Sequence, residues 1–329
     1  MGFSPLDEQW RLDRSVFSNG VACQMVWLSG LLPYEQCEAV FAEIGEQWLS
    51  ASSIWRQTQH HGQRLLDQMK KQKDQVSVER IQLPDAKYDH DQRKGVSMDG
   101  GMVNIRTEGW RELKVGTVFD VEIRRERNPQ TGELDEMAHG VNVHYTAVLG
   151  SKDDFQPALW ALAVQHDLPT ARNRSVVADG ALWIWDVAED VCPDGTQVVD
   201  WYHAVQHLSD AAQALYPHEK DAHNRRRWLK THKNNLYLGR IETIISVLHK
   251  RDAPQFTTYF ARHKRRMQYL EFREQGVPIG SGTVESGVKQ FKHRLSGTGM
   301  RWLRENARRM CIIRAAVLGN DFHTLWNAA

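Results

Sequence analysis

The sequence predicts an α/β fold. A mixed five-stranded sheet with flanking helices is preceded by a helical N-terminal domain and interrupted by a helical insertion before a last helix that carries an acid. Three observations predict it. From Gly95 to Leu149 apolar and polar residues follow the short period of strands. Between Ser175 and Leu215 the pattern strand, turn, helix occurs twice, and each short β-branched run stops at an aspartate. Beyond His218 the pattern is helical and basic, broken sharply at Gly276-Val277-Pro278-Ile279-Gly280-Ser281-Gly282.

Residues 1–30 carry little pattern, although Trp10, Val16, Phe17 and Trp27 point to packing. From Tyr34 to Ile44, Cys37, Val40, Phe41 and Ile44 fall at helical spacing, and Gly45 ends the run. Leu49-Ser50-Ala51-Ser52-Ser53 then offers caps for a second helix containing Ile54 and Trp55. Helix, short glycine-containing turn, helix is the helix-turn-helix pattern, which any small helical hairpin shares. The second helix carries Arg56, Gln57, Gln59, His60 and Arg64, donors suited to grooves and phosphates. The polar run Lys70–Gln75 reads as helix end and linker, so residues 1–90 form the first unit.

Strands follow at Val96–Val103, with Asp99 beside Gly100 and Gly101, at Leu113–Ile123, and at Val141–Leu149 after a polar loop around Asn128–Gly132. A helix over Phe155–Asp167 leads to a fourth strand, Ser175–Ala178, which stops at Asp179-Gly180. The fifth, Thr196–Val199, stops at Asp200, and His203 projects from the first turn of a helix that continues to Leu215. Residues 91–215 are thus the first part of a core, and 216–275 a basic helical insertion over His218–Leu229, a turn near Lys233-Asn234-Asn235, Leu236–Leu248 and Phe256–Phe272. Residues 276–329 complete the core, with Glu285 opening the helix Thr283–Leu295 and a final helix running to about Leu318. This order of elements is the one found in the ribonuclease-H-like fold, where acids on the first and fourth strands meet.

A chain of 329 residues is long enough for a large core and more than one unit. No apolar run reaches the ~18 residues that span a bilayer, and no basic-then-apolar leader opens the sequence, so the expected location is cytoplasmic, away from membranes. Cys23, Cys37, Cys192 and Cys311 form no Cys-x-x-Cys pair, which argues for buried thiols over a zinc ribbon or a disulfide framework. The net charge of +1 conceals an asymmetry: residues 221–314 hold 21 Lys plus Arg against 7 Asp plus Glu, a balance of +14, which leaves −13 on the remainder. Such a split points to a polyanionic partner.

Asp99, Asp179 and Glu285, each beside glycines, fit the need of phosphodiester chemistry for three carboxylates around divalent cations. Taken singly, Asp-Gly after a strand is most often a turn, and Glu285 could serve the helix dipole or pair with Lys289. Their coincidence carries the reading. Asp200 and His203 suit a helix cap and clamp at least as well as metal ligation.

Asp-Gly-Ala-Leu-Trp-Ile-Trp at 179–185, Asp-Trp-Tyr-His-Ala at 200–204, Gly-Ser-Gly-Thr-Val-Glu-Ser at 280–286 and Gly-Met-Arg-Trp at 299–302 resemble bacterial insertion-sequence transposases of the ISKra group, distant relatives of the Mutator-like and hAT transposases. The resemblance covers roughly residues 30–320. It implies a DDE transposase with a ribonuclease-H-like core, two Mg²⁺ or Mn²⁺ ions held by Asp99, Asp179 and Glu285, and Asp200-Trp201-Tyr202-His203 as an accessory motif. Asp99, Asp200 and Glu285 is the alternative triad. It further implies cutting at element ends, joining to target DNA, a homo-oligomer on DNA, and a bacterial, nucleoid-associated location. Members carry a longer N-terminal region, often with a cysteine-rich zinc-binding element, whereas this chain begins almost at the helix-turn-helix-like segment. Lys289, Lys292, Arg294 and Arg301 are the expected phosphate contacts, with Arg265, Arg266, Arg56 and Arg64 as further ones. Two other classes remain open: a non-catalytic DNA-binding protein derived from a transposase, and another metal-dependent hydrolase in which His139, His144, His203 or His207 joins the acids around zinc.

Overall fold

The computed structural model describes residues 17–78, 92–128 and 132–328. Trp10 and Val16, the expected boundary between the first two units at residues 90 and 91, and the centre of the loop at 129–131 lie outside them. Helix α1, Asn19–Leu31, starts where the Ser18 side chain accepts the Val21 N–H at 3.3 Å, and it buries Ala22, Met25, Val26 and Ser29. Helix α2, Tyr34–Glu43, buries Cys37 and Phe41. Helix α3 runs from Ala51 to Val78, straight through Lys70–Gln75, so that stretch is not a helix end and linker. The reason is packing: Leu65, Leu66 and Met69 keep helical spacing against Ile312, Ile313 and Ala316 of the C-terminal helix, and the polar run is the outer face of the same helix.

The sheet has five strands in the order β3-β2-β1-β4-β5. Strands β1 (Arg93–Ile105), β2 (Gly109–Arg127) and β3 (Leu134–Leu149) form an antiparallel meander. All three outrun the expected spans, because the far ends of β2 and β3 alternate charged and exposed residues with no apolar period. Strands β4 (Asn173–Ala178) and β5 (Thr196–Val199) add parallel to β1, which makes the sheet mixed as predicted.

Helices cover both faces. Val96, Met98, Val118 and Val176 pack with Phe155, Leu159 and Ala163 of α4 (Lys152–Gln165) and Ile184 and Val187 of α5 (Leu182–Val191), a cluster that also takes in Ala204 and Leu208 of α6 (Trp201–Leu215). On the other face Val103, Ile105, Leu113 and Val115 pack with Val284, Val288 and Phe291 of α11 (Gly282–Leu295) and Ala307, Met310 and Cys311 of α12 (Arg304–Leu318). A last helix, α13 (Phe322–Ala328), buries Phe322 and Trp326.

The region between α6 and α11 holds α7 (Ala222–Tyr237), α8 (Ile241–Lys250), α9 (Pro254–His263) and α10 (Tyr269–Glu274). The expected turn at Lys233-Asn234-Asn235 lies inside α7, which stops only at Gly239, where φ is +68°. The expected helix over Phe256–Phe272 is divided, with a 3₁₀ turn at Lys264–Arg266. Its apolar residues are not a separate core. Trp228, Leu236, Ile244, Phe260 and Tyr269 join the cluster beneath the sheet, and the buried Tyr269 hydroxyl donates to the Val199 carbonyl at 2.8 Å.

Candidate active site

Strand geometry sets the first two acids side by side. Met98 pairs with Ala178 in the parallel β1–β4 ladder, so Asp99 and Asp179 are the next residue on each strand. The period of two places Asp99 on the same face as Gly101, Val103 and Ile105, the face that α11 covers. Helix α11 packs directly over this part of β1: a Cβ at Gly101 would meet Lys292 Cε at 3.5 Å and Val288 at 3.6 Å, ordinary contact distances. Asp179 Oδ1 accepts the Ala181 N–H at 2.8 Å, and Gly180 turns the chain at φ +103°, a conformation glycine adopts without a Cβ clash.

The Asp99 carboxyl is pushed above the usual carboxylate range, first by burial and then by the charge of Asp179; the Gly100 N–H at 2.6 Å and the charges of His203 and Lys292 oppose this. An acid strained by a neighbouring acid is a group that a cation would relieve.

Asp200 stands at the N-cap of α6 and is wholly buried. Its N–H donates to the Ala178 carbonyl at 2.7 Å, which joins the ends of β4 and β5. Oδ1 accepts from the His203 N–H at 2.9 Å and from His203 Nδ1 at 3.1 Å, and Oδ2 accepts from the Ser281 N–H. Burial alone would raise this carboxyl, but the hydrogen bonds from His203 and Ser281 hold it low. With both oxygens engaged, Asp200 braces the loop before α11 against the start of α6.

Glu285, in the first turn of α11, accepts the Ser281 hydroxyl at 3.0 Å and lies 3.8 Å from His203 Nδ1. The donor atoms of Asp200, His203 and Glu285 lie within 4.8 Å of one another, so the tightest group here has the imidazole at its centre. His203 is held more basic than usual, first by its bond to Asp200 and then by the charges of Asp200, Asp179 and Glu285. Glu285 thus belongs to that closest group, whereas Asp99 and Asp179 act on the same histidine from outside it.

Helix α9 forms a wall that sequence reasoning missed. Tyr259 OH and His263 Nε2 would each lie 3.6 Å from a Cβ on Gly180, and His207 stacks on Tyr259 at 3.7 Å. Tyr259 and His263 read in the sequence only as part of a basic helix, whereas His207 was among the histidines considered for zinc. Ser281, which serves both Asp200 and Glu285, was likewise read as loop; its place two residues before the Thr-Val-Glu segment was the available signal.

The expected phosphate contacts divide. Lys289, Lys292, Arg301, Arg265 and Arg56 are exposed. Arg294 is not available: it is 2 % exposed, its Nε donates to the Ser29 carbonyl at 2.7 Å, and its guanidinium lies over Tyr34 and Trp302. It resembles its basic neighbours in sequence, but the helical period turns it toward the junction of α1 with the core. Arg64 lies over the Trp326 ring at 4.7 Å, and Arg266 over Trp185 at 4.4 Å with Gln197 as hydrogen-bond partner.

Of the histidines considered for zinc, His139 pairs with Glu126 at 2.9 Å and His144 with Asp321 at 2.8 Å, both apart from the acids. Comparison with protein-family models gave no match, and comparison with curated proteins gave none either.

Proposed function

We propose that this chain is a metal-dependent DNA transposase of an insertion sequence, built on a ribonuclease-H-like core, with Asp99, Asp179 and Glu285 as its acids. The observation that carries the reading is the juxtaposition of Asp99, midway along β1, with Asp179, just past the end of β4, where burial and then the charge of Asp179 raise the Asp99 carboxyl. The donor set is three carboxylates, the hard oxygen ligands that suit Mg²⁺ or Mn²⁺. Two such ions, bound by Asp99, Asp179 and Glu285, would supply charge neutralisation at a phosphodiester and lower the pKa of a bound water or hydroxyl.

The chain's own residues supply the rest. Asp200 and Ser281 fix the start of α11, so that Glu285 faces the strand ends. Lys292 on α11 lies beside Gly101 and Asp99, in reach of a phosphate whose reacting group sits at the acids. A cleft of about 420 Å³ lined by Trp55, Arg106, Met300, Arg301 and Leu303 combines an exposed indole with two guanidinium groups, a surface suited to a nucleic-acid strand. Among the described residues no helix is long and apolar enough to cross a membrane. A homo-oligomer on paired DNA ends belongs to the same proposal.

The test is cleavage of DNA spanning the junctions that flank the coding sequence, in Mn²⁺. The Asp99→Asn and Glu285→Gln variants should bind this DNA as the unaltered chain does and leave it uncut. Binding without cleavage by the unaltered chain would instead support a DNA-binding protein descended from a transposase, and unimpaired cleavage by Glu285→Gln would remove that residue from the site.

A further inference from the structure

On the far side of the sheet from the acids, three residues from three elements converge. His144 lies on the edge strand β3, His166 caps the C-terminus of α4, and Asp321 stands in the link between α12 and α13. Their donor atoms lie within 4.8 Å of one another. We propose that His144, His166 and Asp321 form a binding site for a zinc ion, which clamps the C-terminal helices to the edge of the sheet.

Hydrogen bonding accounts for only half of the cluster. Asp321 Oδ2 is 2.8 Å from His144 Nδ1, an ordinary bond, but 3.8 Å from His166 Nε2, too far for one. His166 Nε2 is consequently buried with no hydrogen-bond partner. The two imidazoles stack face to face, with centroids 3.5 Å apart and planes 18° from parallel. Two imidazolium rings so placed would repel, whereas two neutral rings with nitrogens turned toward one carboxylate oxygen present the N₂O set that first-row transition metals favour.

The surroundings are shaped for that carboxylate. A Cβ on Gly319 would come within 2.8 Å of Asp321 Oδ2 and 3.2 Å of the Tyr145 nitrogen, so glycine there lets the carboxylate reach β3. Asn320 follows at φ +61°. Beside the cluster opens a cleft of about 570 Å³ that includes Lys94, Asp120 and Asn142. The Lys94 ammonium that lines it is paired with Asp120 at 2.6 Å, which offsets part of its charge; the remainder helps to keep His166 neutral, the form a metal needs. Zinc bond lengths of about 2.0–2.2 Å place tetrahedral donors roughly 3.4 Å apart. To reach that spacing the two rings must leave their parallel stack and turn toward one ion, with the fourth position facing the cleft.

The experiment uses the full chain, freed of metal by chelation and held in excess Mg²⁺ so that oxygen-ligand sites are occupied. Titration with Co²⁺ should give the intense visible bands of a four-coordinate nitrogen-containing site at one ion per chain, bleached by one equivalent of Zn²⁺. Zn²⁺ should raise Tm by several degrees. Both responses should persist in Asp99→Asn and Glu285→Gln and vanish in His166→Gln and His144→Gln. If the His variants fold poorly, a one-ion cobalt spectrum that persists in His203→Gln and Glu285→Gln still supports the proposal, and one lost in them overturns it. Absence of a stoichiometric cobalt spectrum overturns the proposal. So does a Zn²⁺ response lost in the acid variants and kept in His166→Gln, which would place the ion at the acids.

Discussion

Asp200 grips His203 twice through one oxygen: Oδ1 takes the backbone N–H at 2.9 Å and the ring Nδ1 at 3.1 Å. The bond orients the imidazole and keeps it protonated to higher pH. Stability from such a raised histidine is fully present below its unfolded pKa and is lost as pH rises through the folded one.

The Asp200→Asn variant tests this grip. Asparagine still caps α6, but its amide faces the Ser281 N–H, donor against donor, in a buried place. The expected cost is about 1–3 kcal/mol in chemical denaturation. The His203 ring should titrate lower, toward 6.5, when followed by NMR. An unmoved His203 titration would show that Asp179 and Glu285, rather than Asp200, set its basicity.

Lys292 and Arg294 lie two residues apart on α11 and should respond in opposite ways. Lys292→Ala should leave folding unchanged and reduce the slope of log affinity against log salt by about 0.9, the loss of one phosphate contact. Arg294→Met should leave the salt slope of the folded protein unchanged and cost about 2–4 kcal/mol, because the buried Ser29 carbonyl loses its charged donor. Measuring salt-dependent binding and urea unfolding on both variants separates the two roles.

His61 is packed against Trp326 with ring centroids 4.3 Å apart, and its pKa is lowered to about 4 by burial first and then by Arg64 and His60. Below pH 6.5 the unfolded chain takes up the proton that the folded chain refuses. Stability therefore falls as pH drops from 6.5 toward 4, by up to about 3 kcal/mol from this group. The His61→Phe variant should flatten that part of the pH–stability curve, and an unchanged slope would assign it to another residue such as His263.

Much of the core was readable because its signals are local. The β-branched runs ending in Asp179 and Asp200 place those two acids at strand ends, and the short period around Asp99 places it within a strand, before any tertiary contact is known. What escaped depends on partners distant in sequence. The full length of α3 follows from its contact with α12, and the fate of Arg294 from a carbonyl on α1. His144 and Asp321 are 177 residues apart, with no spacing to mark them as neighbours. Asn234-Asn235 looked like a turn because the buried His232, Leu236 and Tyr237 that hold α7 helical face a core built from other elements.

Ser281 meets Asp200 although the two are 81 positions apart in sequence, and the helices of the insertion fill that interval. During synthesis the first two acids therefore emerge long before the third is in place. Long-range contacts of this kind form late, after the chain between them has been made and folded. The nascent chain thus carries a buried Asp200 carboxylate without its Ser281 partner until the whole insertion has been made.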